Sequence, residues 1–263
     1  MKKKALITGG KGIVGQLIKG YFDSDIYDIT NGDDIWDARK LVSRMKGKDL
    51  VIHLAGFAHP FMEGITEGAY WHLNFKGTKQ VVECMRAAGV KKLIFMSSGG
   101  VYGFSNKSLK PKYFPVDEEH PLPDEKDLTT YDKTKIACEK FLLDQKDITS
   151  VIFRLERPCW EKRYDSMPGT HLFACVNSKN LEQLVQLAAD YDGPSEVFNS
   201  GDSQIPIHFC QDSILWAKLR YPDVERRLKS KFDPLISIQK AIDKLGFKPH
   251  DVYTIIKEKD KNS

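Results

Sequence analysis

The sequence predicts an α/β fold in which a doubly wound, mostly parallel sheet carries helices on both faces. Two observations lead to this prediction. Short apolar runs alternate along the chain with longer stretches that show the periodicity of amphipathic helices. The first apolar run also leads through a glycine-rich turn straight into such a helix. We expect the sheet to occupy residues 1–155, and residues 156–263 to form a smaller C-terminal region packed on it.

The composition is ordinary for a globular chain of 263 residues, and 41% of them are hydrophobic. The net charge of +4 is mild and the basic runs lie at the termini, so we expect no nucleic-acid partner. No apolar run reaches about eighteen residues, so we expect no membrane span and a cytoplasmic protein. The five cysteines are scattered, and His53, His59 and His72 fit no compact zinc pattern, so no metal site is expected.

Short, mostly apolar runs predict the strands, and stretches with an apolar stripe predict the helices between them. The predicted strands are 4–8, 26–29, 49–56, 92–97, 151–154 and 196–199. The predicted helices are 13–22, 35–46, 70–88, 131–142, 180–189, 211–219 and 238–245. Residues 104–130 are rich in Pro, Lys and acidic side chains, and their length predicts a functional loop or flap.

The turn after the first strand has the spacing of a dinucleotide-binding site. Gly10, Gly12 and Gly15 form G-x-G-x-x-G, and Gly9 begins an overlapping G-x-x-G-x-x-G. One glycine permits the tight turn, one lets backbone N–H groups approach a pyrophosphate, and one lets the helix pack closely on the strand. The helix N-terminus then faces the phosphate charge. A tight turn without a ligand uses the same residues, but the position between strand and helix favours a cofactor.

Asp28 lies nineteen residues after Gly9, near the spacing at which a carboxylate receives the adenosine ribose hydroxyls. A carboxylate there would repel a 2′-phosphate, and no arginine follows it closely, so NAD is favoured over NADP. Lys11 in the glycine turn could attract a phosphate, so NADP remains possible. The alternative, of nearly equal weight, is that Asp28 is a turn aspartate ahead of Asn31 and Gly32.

The third and fourth strands end in residues that suit a ligand crevice. Ala55 and Gly56 are small enough to leave room for a cofactor ribose at the carboxyl edge of the sheet. The fourth strand ends in Ser97 and Ser98, and Gly99 follows them at the same edge. Hydroxyl groups and small residues therefore meet on the side of the glycine turn.

Tyr131 and Lys135 are four residues apart and lie on one face of a predicted helix. An ammonium near a phenol favours the phenolate, so we expect Lys135 to lower the pKa of Tyr131 from about 10 towards neutrality. Tyr131 would then act as a general acid/base, with the Ser98 hydroxyl holding the reacting oxygen. A Tyr-x-x-x-Lys pair alone is usually a surface coincidence, but together with the glycine turn and the two serines it indicates a reactive site.

These motifs together resemble the extended short-chain dehydrogenase/reductase superfamily, in its NAD-dependent epimerase/dehydratase branch. The matching segments are 8–15, 53–56, Asn74 with 77–78, 97–98 with 102–103, 131–135, 198–201 and 237–249. The resemblance covers nearly the whole chain. It implies a Rossmann-like fold in which the C-terminal region is a small substrate-binding part.

The resemblance also implies roles for individual residues. Tyr131 is the acid/base, Lys135 lowers its pKa and binds the nicotinamide ribose, and Ser98 hydrogen-bonds the substrate oxygen. The residues expected to bind the cofactor are Gly9, Gly10, Lys11, Gly12, Ile13, Val14, Asp28, Asp34, Ile35, Leu54, Ala55, Gly56, Asn74, Ser97, Tyr131, Lys135 and Pro158. The residues expected to bind the substrate are Ser98, Gly99 and Arg157.

Two departures from the family pattern narrow the substrate. Sugar-nucleotide dehydratases carry an Asp-Glu pair where this chain has Gly99 and Gly100, so no carboxylate is expected there and dehydratase chemistry is not favoured. Arg157 stands in the place of a family Asn, and too little chain follows it for a nucleotide-diphosphate pocket. Such compactness resembles hexose-uronate dehydrogenases, in which Arg154 or Arg157 would meet a substrate carboxylate. For Arg154, a structural pair with an acid such as Glu156 is slightly favoured.

Three functions stay open on the sequence. The first is an NAD(P)-dependent oxidoreductase that moves a hydride to or from a hydroxyl or carbonyl of a small sugar-like substrate. The second uses the same catalytic set as a nucleotide-sugar epimerase or 4-ketoreductase. The third is a non-catalytic NAD(P)-sensing protein, which would predict a damaged catalytic set, whereas all three residues are present. By resemblance we expect a homodimer through the helices at 70–88 and 131–144.

Overall fold

The computed structural model describes residues 1–103, 109–159, 175–203, 212–231 and 233–250. The strands are β1 (Lys4–Thr8), β2 (Asp23–Tyr27), β3 (Leu50–His53), β4 (Lys92–Met96), β5 (Tyr113–Phe114), β6 (Thr149–Arg154), β7 (Arg157–Cys159), β8 (Cys175–Asn177), β9 (Glu196–Asn199) and β10 (Glu225–Arg226). The α-helices are α1 (Ile13–Ile18), α2 (Ala38–Met45), α3 (Glu67–Tyr70), α4 (Gly77–Ala88), α5 (Thr130–Leu143), α6 (Ser178–Asp190), α7 (Ser213–Arg220) and α8 (Gln239–Leu245).

A six-stranded parallel sheet with the order β2-β1-β3-β4-β6-β9 forms the centre of the molecule. From β1 the chain moves outward to β2 and then crosses back to place β3 on the other side of β1. Where the winding reverses, the loops after β1 and β3 diverge and leave a crevice at the carboxyl ends of the strands. The predicted doubly wound, Rossmann-like fold is confirmed, and its ligand edge lies at the glycine turn.

Both faces of the sheet are buried, as a parallel sheet with helices on each side requires. Ala5 and Ile7 of β1 point into one apolar cluster, and Leu6 between them points into another. The first cluster joins the sheet to α1, α6 and α8, and the second joins it to α2, α4 and α5. A third cluster around Tyr102 and Phe114 includes residues of α7 and forms the core of the C-terminal part.

The sheet extends beyond residue 155, which corrects the predicted limit. Strand 196–199 was assigned to the C-terminal region, whereas β9 pairs with β6 and places Phe198 opposite Phe153. Phe198 is fully buried, and its ring centroid lies 6.1 Å from that of Phe153. The apolar face of this strand is covered by α6 and α8, and α6 lies on the connection from β6 to β9.

Several predicted boundaries move by a few residues. The helix predicted over 13–22 ends at Ile18, and β2 begins at Asp23 because its register pairs Asp23 with Lys4 of β1. The helix predicted over 70–88 begins at Glu67, where the Thr66 hydroxyl caps it, and Trp71–Lys76 between α3 and α4 winds as a π-helix. The predicted helix 211–219 is α7, and residue 211 lies outside the described residues.

Candidate active site

The glycine turn after β1 is closely packed against its neighbours. Gly9 has a φ of +67°, and a Cβ atom built on it would lie 2.7 Å from the backbone nitrogen of Ala55. A Cβ on Gly15 would lie 2.5 Å from Cα of Gly10, so α1 approaches the turn as closely as backbones allow. Gly12 begins α1 with no capping side chain. These backbone contacts shape the turn and the start of α1 into a close-packed cradle of the kind that holds the pyrophosphate of a dinucleotide.

Asp28 follows β2 and borders the glycine turn. One carboxylate oxygen accepts hydrogen bonds from the backbone and hydroxyl of Thr30, at 3.0 and 2.8 Å, and the other accepts from the Lys11 N–H at 2.9 Å. Burial opposes its charge, but these donors hold the pKa of Asp28 below its usual value. Asp28 thus acts as a turn aspartate, the alternative interpretation of the sequence. The same position lies beside the cradle, where ribose binding remains a prediction.

Asp34 and Ile35, both expected to bind the cofactor, follow the turn after β2. The carbonyl oxygen of Asp34 accepts a hydrogen bond from the Tyr27 hydroxyl at 2.8 Å. Ile35 is buried, and its Cδ1 would lie 2.7 Å from a Cβ on Gly77 at the start of α4. Both residues are therefore held in place by neighbouring elements.

Asn74 ties the loop after β3 to α5. Its Oδ1 accepts from the Phe57 N–H at 2.8 Å, and its Nδ2 donates to the Thr134 hydroxyl at 3.3 Å. Gly56 adopts a φ of +154°, and a Cβ there would lie 2.9 Å from Asn74 Oδ1. The loop that carries Ala55 and Gly56 is thus fixed by a buried amide in the π-helix.

Ser98 and Tyr131 bring two hydroxyl groups together at the end of β4. The Ser98 hydroxyl lies beside that of Tyr131, and its Oγ accepts a hydrogen bond from the Gly100 N–H at 3.0 Å. Lys135 lies one turn further along α5, with Nζ 5.7 Å from the Tyr131 ring centroid. The three predicted catalytic residues therefore converge on the carboxyl edge of the sheet.

The expected lowering of the Tyr131 pKa is wrong in this structure. Burial disfavours the phenolate and raises the pKa of Tyr131 to about 12, although the hydrogen bond with Ser98 acts in the opposite direction. The Lys135 ammonium is directed elsewhere: it donates to the Met96 carbonyl oxygen at 2.7 Å and lies 4.8 Å from the Phe95 ring centroid. Burial also lowers the pKa of Lys135, which weakens its influence on the phenol.

Arg154 forms an ion pair with Glu139 of α5, not with Glu156 as the sequence suggested. Its NH2 lies 2.9 Å from Glu139 Oε2, and both side chains are buried. Ser97, predicted to contact the cofactor, donates its hydroxyl to the same carboxylate at 2.5 Å. The Arg154 guanidinium also donates to the Tyr102 hydroxyl at 2.9 Å. Arg154 is therefore committed to structure, which removes it as a carboxylate-binding candidate.

Two carboxyl groups that the sequence did not reveal occupy the space above Gly99 and Gly100. A Cβ on Gly99 would lie 2.6 Å from the carboxyl carbon of Glu156, and one on Gly100 would overlap Oδ1 of Asp132. Positions 99 and 100 themselves carry no carboxylate, as the sequence shows, but two other elements place carboxyl groups beside them. The glycine pair was the one feature of the sequence that indicated space at this point. The carboxyl groups that occupy the space could not be predicted, because Asp132 and Glu156 are distant in sequence from Gly99.

The remaining predicted residues are placed as follows. Ile13 and Val14 begin α1, Leu54 follows β3 with its N–H bonded to the Thr8 carbonyl at 3.0 Å, and Pro158 lies in β7 opposite Val176. Arg157 opens β7, and its side chain lies outside the described part of the structure. Their contacts with ligands stay predictions.

His53 has a structural role beneath this edge. It is buried between the hydroxyls of Thr8 and Thr78, at 2.7 and 3.1 Å, and burial lowers the pKa of its imidazole to about 3. Among the described residues, no group of three or more His, Cys, Asp or Glu side chains is arranged to hold a metal ion. No helix in the described ranges is both long and apolar enough to cross a membrane.

The family model of the NAD dependent epimerase/dehydratase family matches residues 5–214. The chain belongs to this family. The match spans the glycine turn, the two serines and the helix with Tyr131 and Lys135, so the resemblance drawn from the motifs is confirmed. Membership in this family confirms the prediction of NAD as the cofactor.

Relatives of the epimerase/dehydratase family show how far the likeness extends. A UDP-glucose 4-epimerase of Homo sapiens is 28% identical over an alignment of 217 positions, which covers 67% of this chain and 57% of the epimerase. This chain therefore spans little more than half the length of that relative. A structure of UDP-glucose 4-epimerase from Brucella ovis in complex with NAD has a TM-score of 0.71 at 21% identity, covering 97% of this chain and 96% of that one.

A second solved structure, titled a mutated uronate dehydrogenase, has a TM-score of 0.69 at 20% identity. The alignment covers 100% of this chain and 87% of the dehydrogenase chain. At these identities the two structures establish the shared fold of the family and leave the substrate open.

Proposed function

We propose that the chain is an NAD-dependent oxidoreductase that moves a hydride between the cofactor and a hydroxyl or carbonyl of a sugar-like substrate. The observation that carries this proposal is the placement of the Ser98 hydroxyl beside the Tyr131 phenol at the ligand edge of the sheet. Two hydroxyls from different elements can hold one substrate oxygen from two sides, with Lys135 close to the phenol.

Each residue has a defined part in this chemistry. NAD, when bound, supplies the hydride acceptor. The glycine turn would hold its pyrophosphate, Asp28 its adenine ribose and Lys135 its nicotinamide ribose. In reduction, Tyr131 donates its phenol proton to the substrate carbonyl oxygen as the hydride reaches the carbonyl carbon. In oxidation, Tyr131 first releases its proton to solvent, and the phenolate then takes the proton of the substrate hydroxyl as the hydride leaves. Ser98 Oγ keeps the substrate oxygen in place while the proton moves.

Replacement of Tyr131 tests the proposal. Tyr131→Phe should lower kcat at least about a hundredfold, because general acid–base catalysis contributes roughly 10²–10⁴-fold. NAD affinity, measured by calorimetry, should stay within about twofold of wild type. Tyr21→Phe removes an exposed hydroxyl that contacts Glu182 on the surface and serves as the control. Unchanged turnover in Tyr131→Phe would refute the catalytic assignment.

Two substrate classes compete for this site. The short segment after Arg157 favours a free sugar, whereas the similarity to UDP-glucose 4-epimerases favours a nucleotide sugar whose hydride is returned. The absorbance of reduced nicotinamide, followed with NAD⁺ and NADP⁺ against free uronates, free aldoses and nucleotide sugars, separates them. A rise with a free sugar supports the dehydrogenase. The epimerase is supported if the absorbance of reduced nicotinamide shows no net rise, the product is a nucleotide sugar with an inverted carbon centre, and denaturation of the purified protein releases NAD. A chain that binds NAD and converts no compound would fit the non-catalytic sensor.

We further propose a cytoplasmic homodimer formed through α4 and α5, with the C-terminal region capping the substrate. Trp71 and Phe75 of the π-helix before α4 pack edge to face at 5.7 Å, and Lys79 of α4 lies 5.7 Å from the Phe141 ring centroid of α5, so aromatic rings line the surface along these helices. Sedimentation should give about twice the chain mass of 30.0 kDa, and Trp71→Glu should shift the protein towards monomer. A monomeric wild type would contradict the dimer.

A further inference from the structure

The Glu156 backbone is fixed at the ligand edge by the sheet itself. The carbonyl oxygen of Leu155 accepts from the Gly99 N–H at 3.0 Å, and the Glu156 N–H donates to the Ser200 hydroxyl at 3.0 Å. These bonds join the residues that follow β4, β6 and β9. The position of Glu156 is therefore set by the same elements that place Ser98.

The Glu156 side chain takes the space that a side chain at position 99 would fill. A Cβ atom built on Gly99 would lie 2.6 Å from the Glu156 carboxyl carbon and 2.9 Å from Oε2. Gly99 directly follows Ser98, whose hydroxyl lies beside the Tyr131 phenol. A carboxyl group thus stands beside the proposed reacting position without belonging to the predicted catalytic set.

This carboxyl group has no partner within the parts of the chain that the structure describes. Neither a hydrogen bond nor an ion pair engages it, and the neighbouring Arg154 is held by Glu139 of α5. Burial raises the pKa of Glu156 to about 8, and burial also raises that of Asp132, above Gly100, to about 6. The Glu156 side chain is half-buried, so its carboxyl group, which has no partner among the described residues, stays within reach of a ligand that can supply one.

We propose that Glu156 is a specificity-determining residue that hydrogen-bonds a hydroxyl group of a sugar-like substrate, next to the oxygen held by Ser98 and Tyr131. This inference rests on the proposed function, because it places the substrate at the same edge. A carboxyl group can donate one hydrogen bond and accept others, which suits neighbouring hydroxyls of a polyol. A carboxylate or phosphate of the substrate must lie elsewhere, because a negative charge beside Glu156 would be repelled once Glu156 ionises.

The variants Glu156→Leu and Glu156→Gln test this contact with D-glucuronate, D-galactose and UDP-glucose as probes, each with NAD. Glu156→Leu removes the hydrogen bond and should raise KM about tenfold while kcat stays within about threefold. Glu156→Gln keeps a donor and an acceptor and should leave KM within about threefold. Glu125→Leu, at an exposed position in the loop before α5, should change neither value.

The outcomes separate this inference from the proposed function. Thermal unfolding with and without NAD shows whether each variant folds, and Glu156→Ala replaces Glu156→Leu if the leucine disturbs the packing. If Tyr131→Phe abolishes turnover while Glu156→Leu or Glu156→Ala keeps the wild-type KM, the role of Glu156 is overturned and the proposed function stands. Absence of turnover by the wild type with every probe, or full turnover in Tyr131→Phe, overturns the proposed function and this inference with it.

Discussion

At the cofactor edge, the glycines are required by contacts between backbones. Gly9 has a left-handed φ of +67°, and its Cα faces the backbone of Ala55 in the loop after β3. Backbone atoms cannot rotate away as the end of a side chain can. By contrast, Gly20 lies in the turn after α1, and a Cβ atom there would meet nothing within 4 Å.

Gly9→Ala should destabilise the protein by about 1–3 kcal/mol, since it adds both left-handed strain and overlap with Ala55. Its NAD affinity should also fall, because the cradle and the neighbouring loop must separate. Urea unfolding and calorimetry measure the two effects. Gly20→Ala is the matched control and should change stability by less than about 1 kcal/mol. Equal effects of the two variants would show that the close approach at Gly9 is unimportant.

The protonation state of Tyr131 differs from the one that its sequence neighbours suggested, because the side chain is buried. The four-residue spacing to Lys135 indicated a stabilised phenolate, but the fold places Tyr131 at 7% exposure and directs Lys135 to a carbonyl oxygen. The proton therefore stays on the phenol in this structure. The spacing identified the pair of residues, and the packing around them set the protonation state.

Helix α5 is the element that carries most of the site. Its first turn is capped by Thr129, whose hydroxyl accepts from the Asp132 N–H at 3.2 Å and donates to Asp132 Oδ2 at 2.6 Å. The same helix presents Tyr131 and Lys135 to the ligand edge, and Glu139 to Arg154. Asp132 is thus both part of the helix cap and the carboxyl group above Gly100.

The stability contributed by Asp132 should fall as pH rises. Burial raises its pKa from 3.8 to about 6, so the folded state binds the proton more tightly than the unfolded state. Its contribution is fully present below pH 3.8 and is lost as pH rises through 6. Asp132→Asn keeps the shape without the charge.

Asp132→Asn should therefore match wild type near pH 4 and exceed its unfolding free energy by about 1–3 kcal/mol at pH 7. Urea unfolding at several pH values measures the difference. Asp223→Asn, at an exposed position, provides the control. A difference between Asp132→Asn and wild type that does not change with pH would disprove the assignment.

A buried polar network connects the sheet, α5 and the C-terminal part of the molecule. Ser97 and Arg154 both bond to Glu139, Arg154 donates to the Tyr102 hydroxyl, and Tyr102 donates to Asn199 at 2.7 Å. Ser97 follows β4, and Arg154 and Asn199 end β6 and β9. The network therefore fixes the ends of three strands beside the proposed substrate position.

Arg154→Met should cost about 3–5 kcal/mol of unfolding free energy, because it leaves the buried Glu139 carboxylate without its guanidinium. Arg154→Met combined with Glu139→Gln should recover part of that loss, as a double-mutant cycle would show. The exposed ion pair of Arg86 with Glu83 offers a comparison, and Arg86→Met should cost about 0–1 kcal/mol. Equal costs for the two arginines would argue against a buried network.

At the scale of the whole molecule, the sequence predicted those features that repeat locally. The strand β1, the glycine turn and the alternation of strands with helices follow from apolar periodicity and glycine spacing, which are read over a few residues. The assignment of β9 to the main sheet did not follow, because pairing with β6 depends on residues about 45 positions away. The partner of Arg154 was misassigned for the same reason.

The sequence by itself determined the fold class, the family and the identity of the groups at the ligand edge, because each depends on residue type and short spacing. The tertiary structure alone decided which carboxyl groups stand above Gly99 and Gly100, where the Lys135 ammonium points, and how strongly Tyr131 holds its proton. Contacts between distant segments and the loss of water around a group set these properties. Neither is encoded in the spacing of neighbouring residues.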